Sequence, residues 1–144
     1  MRAKALYTVL SVVVLSVFVF VSGAQASLEA IDTVDNLLTA VNTGELDAAS
    51  ALFATDAVAG YTLANQSYEG SDEIGIFLEG LHHEGREYEI VQLAMVGNTV
   101  DLTVDVADRG HVWGQHELRV EVQGGMIQSL EVIEPRLTLW HISD

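Results

Sequence analysis

From Thr99 to Val106 every second residue is apolar: Val100, Leu102, Val104 and Val106 alternate with Thr99, Asp101, Thr103 and Asp105. A period of two marks a strand with one buried and one wet face, and it does not suit a helix. Leu118, Val120 and Val122 alternate with Glu117, Arg119 and Glu121 in the same way. Gly97-Asn98, Asp108-Arg109-Gly110 and Gly124-Gly125 punctuate these runs with residues that tolerate positive φ. The C-terminal part is therefore read as four strands of an antiparallel meander, the last ending near Pro135.

A sheet with one apolar face needs a cover, and the earlier residues supply it. Leu28, Ile31, Val34, Leu37, Leu38 and Val41 recur at three and four, which is one face of a helix stopped by Asn42-Thr43-Gly44. Residues 45–53 repeat the pattern with Leu46, Ala49, Leu52 and Phe53, making a helical hairpin. Residues 57–63 suit a short strand and Asn65-Gln66-Ser67 a loop. The loop also matches the N-glycosylation acceptor pattern. A third helix follows, with Ser71 placed to cap it, Asp72 and Glu73 in its first turn, and Ile74, Phe77, Leu78 and Leu81 as its buried stripe.

Ahead of this domain, residues 1–26 have the three parts of a secretory leader: Arg2 and Lys4, an apolar run over 5–21, and Ala24-Gln25-Ala26 as an A-x-A exit. Cleavage is expected after Ala26, leaving residues 27–144 as one secreted or periplasmic domain with no membrane attachment. Uncleaved, the same run approaches the length of a membrane anchor. Loss of Arg2 and Lys4 leaves four arginines against twenty-one acids, a net charge of −17. Such a surface repels phosphates, so nucleic acid is an unsuitable partner. The chain has no cysteine, which removes disulfides, thiol catalysis and cysteine metal sites.

Three phrases carry a family resemblance. Ala40-Val41-Asn42-Thr43-Gly44-Glu45-Leu46-Asp47 is similar to an "A-x-N-x-G-D-x-D" corner, and Ala51-Leu52-Phe53-Ala54-Thr55-Asp56-Ala57 to an "L-F-A-x-D-A" phrase. Tyr68-Glu69-Gly70-Ser71-Asp72-Glu73-Ile74, with Phe77 and Leu78, is similar to an "x-x-G-x-x-x-I-x-x-F" helix entry. Together they resemble the SnoaL-like members of the nuclear transport factor 2-like superfamily, which includes polyketide cyclases, ketosteroid isomerases and scytalone dehydratase. The resemblance implies an α+β fold of the cystatin-like roll type. It is cone-shaped, with three N-terminal helices packed on a strongly bent antiparallel sheet around a mainly apolar cavity.

The same resemblance places candidate site residues. Where isomerases of the superfamily carry a carboxylate base, this sequence has Tyr61, and where they carry an oxyanion-binding tyrosine it has Leu37. The third position falls near His116, Glu117 or Leu118. A tyrosine with an ordinary pKa near 10 is a poor base at neutral pH. His116 shares a strand face with Leu118, Val120 and Val122, so it points toward the pocket as an acid or base, or else bonds locally. Tyr61, His116, Leu37 and Phe77 are the expected ligand-binding residues, with Tyr61 and His116 the candidates for catalysis.

No metal or cofactor is expected. His82, His83 and Glu84 are adjacent and point apart, while His111 and His116 fall on opposite strand faces. Trp113 and Trp140 read as packing residues, and Asp101 and Asp105 as a solvated pair. Three functions are compatible with these residues. One is an exported domain binding a small hydrophobic molecule without catalysis. Another is a proton-transfer enzyme on a carbonyl compound, of the polyketide cyclase, isomerase or dehydratase type. The last is a homodimer-forming interaction module.

Overall fold

The computed structural model describes residues 25–136. The expected leader lies outside them apart from positions 25 and 26, which fall in the first helix, and Trp140 lies outside them too. Helix α1 covers residues 25–43 and is followed by α2 (Leu46–Ser50), β1 (Phe53–Tyr61), β2 (Gln66–Glu69) and α3 (Gly70–Leu81). The meander then runs through β3 (Arg86–Val96), β4 (Thr99–Asp108), β5 (His111–Gln123) and β6 (Met126–Arg136). Among the described residues, no helix is long and apolar enough to cross a membrane.

The expected α+β architecture is present, with the helices against one face of a six-stranded sheet ordered β2-β1-β6-β5-β4-β3. Val100, Leu102, Val104 and Val106 face inward and are buried, as their alternation requires. The turn residues Gly97, Arg109, Gly110, Gly124 and Gly125 all adopt positive φ. One seam differs from the rest: β1 and β6 pair in parallel, with Ala59 opposite Leu130 and Tyr61 opposite Val132.

Four local expectations are corrected. Leu28 is exposed, and Ala30, Val34, Leu37, Leu38 and Val41 form the buried stripe of α1. The second helix is short because the Leu52 carbonyl accepts a bond from Ile127 N–H at 2.8 Å, which draws the chain into the sheet and makes Phe53 the first residue of β1. The expected loop 65–67 is a turn at Asn65, where φ is 50°, followed by the β2 strand. Within that hairpin, a Cβ at Gly60 would collide with the Gln66 carbonyl oxygen, so only glycine lets the strands close. The third helix is capped at Glu69, not Ser71. Gly70 turns the chain at φ +81°, and Glu69 N–H donates to Glu73 Oε2 at 2.7 Å, which satisfies a backbone donor at the helix start.

Asn42 ties the layers together. Its Nδ2 donates to the Tyr88 carbonyl at 2.9 Å, and its Oδ1 accepts from Tyr88 N–H at 2.8 Å. A side-chain amide thus replaces a neighbouring strand at the start of β3, which is the sheet edge. Gly44, at φ +76°, lets the chain leave α1 at once, and the His82 ring packs against it with Nδ1 2.7 Å from the Val41 carbonyl. Asn42→Leu strands two partly buried backbone groups and is expected to cost roughly 2–4 kcal/mol of stability. Thr43→Ala, whose exposed hydroxyl bonds only within α1, should change stability by about 0.5 kcal/mol or less. Chemical denaturation of both variants checks the contrast.

Candidate functional site

The inner face of the meander carries polar groups at one end. On β3, Arg86 and Tyr88 share the inward register with Ile90, and on β5 His116 shares it with Leu118. The register between β4 and β5 shifts after Val106, which pairs with Gly114 while Ala107 pairs with Val112. Trp113 is the extra residue of this bulge. Bulges re-aim side chains, and this one brings the Trp113 ring edge-on to His116 with centroids 5.9 Å apart. The Arg86 guanidinium sits 5.6 Å from the same ring, within cation–π range. Tyr88 flanks the other side of His116, with centroids 6.4 Å apart. Its hydroxyl donates to the Leu81 carbonyl at 2.7 Å.

Two atoms of this cluster break the usual rule that buried polar groups are paired. Arg86 Nε and His116 Nδ1 are both buried with no hydrogen-bond partner. Burial, and then the charge of Arg86, hold the His116 pKa below its ordinary 6.5, so the ring is neutral at pH 7. Burial raises the Tyr88 pKa, while Arg86 beside the phenol pulls the other way.

The sequence-predicted residues divide into two groups. His116 and Leu37 line one small apolar cavity with Tyr88, Leu81 and Leu118. Tyr61 and Phe77 lie in a neighbouring aromatic cluster, where Phe77 touches Tyr61 at 5.3 Å and Tyr68 at 5.6 Å between centroids. Tyr61 is pushed up to about 12, first by burial and then by Tyr88 and Tyr68, with Arg86 opposing. No hydrogen bond or ring contact joins Tyr61 to His116. The expected ligand-sized cavity is also corrected. Among the described residues its volume is about 10 Å³, room for roughly one water, with Leu37, Leu38, Val41 and Leu130 among its walls.

Larger recesses lie elsewhere and are shallow. One of about 370 Å³ runs over β1, β2 and β6 beside Thr62 and Glu131, and another of about 410 Å³ lies between the start of α1 and the Gly97 and Gly124 turns. On the outer face, Asp101 and Asp105 are not merely solvated. Arg119 Nε donates to Asp101 at 2.8 Å and Gln115 Nε2 to Asp105 at 2.7 Å.

Sequence reasoning missed Arg86 and Tyr88 and took Trp113 for packing. The legible signal was parity, since Arg86, Tyr88 and Ile90 alternate with Glu87, Glu89 and Val91. An arginine on the buried face of a strand is uncommon enough to mark a site.

The SnoaL-like domain family matches residues 34–130. No curated protein matches the chain. Among solved structures, a protein of unknown function with a cystatin-like fold from Nostoc punctiforme is 16% identical, with a TM-score of 0.64 over 78% of this chain and 94% of that one. A candidate polyketide cyclase from Sinorhizobium meliloti is 21% identical, with a TM-score of 0.60 over 70% and 93%. A candidate ketosteroid isomerase from Kribbella flavida is 14% identical, with a TM-score of 0.61 over 81% and 88%. At these identities the likeness is one of fold.

An unpartnered buried nitrogen costs stability, and a ring that must stay neutral costs more as protons become available. His116→Phe is therefore expected to raise stability by on the order of 1 kcal/mol. The sign of the pH effect follows from the depressed pKa. Above 6.5 both folded and unfolded His116 are neutral; as pH falls below it the unfolded chain takes the proton first, so the wild type loses stability that the variant keeps. Thermal melts across that range test this, and a variant less stable than wild type at every pH would contradict it.

Proposed function

The chain belongs to the SnoaL-like domain family, and from that premise we propose that it is an exported, non-catalytic domain that binds a small molecule at the end of the roll formed by Arg86, Tyr88, Trp113 and His116. The observation that carries this reading is His116 Nδ1, a buried polar atom left without a partner beside an exposed aromatic ring. Natural proteins retain such defects where a ligand completes them. Export rests on the leader over residues 1–26.

Proton-transfer chemistry of the kind named for the two relatives needs a base of suitable pKa, oriented by a third group. Tyr61, at about 12, is almost wholly protonated at neutral pH and can hydrogen bond but not take up a proton as a base. His116 has the right charge state but no carboxylate partner among the described residues to hold its tautomer. Binding without turnover is therefore the reading preferred here.

A second reading is favoured by one observation, the nearly filled interior. A SnoaL-like domain without a usable pocket acts as an interaction module, with a second copy as its simplest partner. Native mass spectrometry of the protein purified from its own host separates the two. One small molecule retained per subunit and released on denaturation is the expected result. An empty dimer would overturn the binding reading in favour of the module.

A further inference from the structure

The chain carries twenty-one acidic residues and six basic ones, so a cation has acids to choose from almost anywhere on its surface. Arg119 takes one, Asp101. Arg86 does not. Among the described residues it makes no ion pair, and its Nε is buried and unpartnered. A partly buried guanidinium without an ion pair among the described residues is costly; it lies over the Trp113 ring, with the Tyr88 phenol beside it. His116, the other group with an unpartnered nitrogen, packs against the same Trp113 ring.

We propose that the ligand of this site carries a carboxylate, accepted between Arg86 Nε–H and His116 Nδ1–H, with a flat apolar body resting on Trp113. The inference rests on the small-molecule reading above and adds the chemical class. A guanidinium is a planar fork that matches a carboxylate in plane. His116 is neutral and supplies a donor without a second charge, so one negative charge is balanced. A phosphate monoester brings nearly two, more than a single cation in a chain of net charge −15 neutralises. Trp113 is 40% exposed and offers the ligand a ring to lie on, since the cavity behind His116 admits no larger group.

The test is calorimetric titration of the protein with 2-naphthoate and 2-naphthamide, which share shape and differ in charge. Naphthoate is expected to bind at least about tenfold tighter. Arg86→Gln should erase that preference, and Arg86→Lys should keep part of it. Equal affinity of the two compounds for the wild type would overturn the carboxylate inference and leave the binding reading standing. Binding of neither would overturn both. A preference that survives in Arg86→Gln would remove Arg86 from the site. If Arg86→Gln does not fold, Arg86→Lys carries the test: it weakens naphthoate several-fold and leaves naphthamide unchanged, and equal weakening of both counts against the proposal. The ¹⁵N spectrum of the His116 imidazole in the naphthoate complex gives an independent readout, since the proposal requires the proton on Nδ1.

Discussion

The paired hydrogen bonds between the Asn42 amide and the backbone of Tyr88 are the joint on which the rest of the molecule turns. Strand β3 lies at the edge of the sheet, where Tyr88 would otherwise have no second backbone partner. By supplying one, the end of α1 fixes where the sheet starts its curl around the helices. The consequences run in sequence. With its backbone held, Tyr88 sends its ring inward and its hydroxyl to the Leu81 carbonyl, tying the end of α3 to the same point. The His116 ring then packs against Tyr88, and Trp113 packs against His116. A single amide in a helix-terminating turn thus orders a site built from three other elements.

Interior and rim obey different rules. The interior is apolar and closely packed, and each buried side chain there contributes on the order of 1.5–3 kcal/mol. At the rim the same sheet carries groups that reduce stability, a guanidinium with an unpartnered buried Nε and an imidazole with an unpartnered Nδ1. Burial acts on Tyr61 and His116 with opposite results, because it disfavours the charged form of each. The tyrosine is held as a phenol far above neutral pH and the histidine is held uncharged below its ordinary value. Both are thereby kept as neutral hydrogen-bonding groups around one fixed positive charge.

Much of the fold was legible in the sequence because it follows from periodicity. The alternation in Thr99–Val106 determines which face is buried, and the glycine-rich turns determine where each strand reverses. Elements decided by contacts distant in sequence were not legible. Nothing near Leu52 announces that Ile127 N–H will claim its carbonyl and end the helix, and nothing near β1 announces its parallel pairing with β6. The site was partly legible. Parity placed His116 on the inner face, and the count from the family phrases landed on Leu37, which lines the same cavity. Tyr61 was paired with His116 on the assumption of an open cavity, but the small cavity beside His116 is lined by Leu37, Val41 and Leu130 and not by Tyr61. Trp113 escaped because its orientation depends on a bulge, and a one-residue register shift reverses which face a side chain takes.

The charge of the chain bears on how such a site can select. With fifteen more negative than positive charges, the protein repels an anion at distances beyond the Debye length of about 8 Å at physiological salt only weakly, and inside that distance strongly. Attraction from Arg86 is felt only at close range, where the guanidinium faces the Trp113 ring in place of water and its field is least screened. An anion bound at the proposed site therefore gains little from approach in general and most from the position that meets Arg86. Discrimination is in this way concentrated in direct contact, and long-range steering contributes to it with the opposite sign. The acidic exterior repels anions indiscriminately, and the proposed site selects those whose shape reaches Arg86.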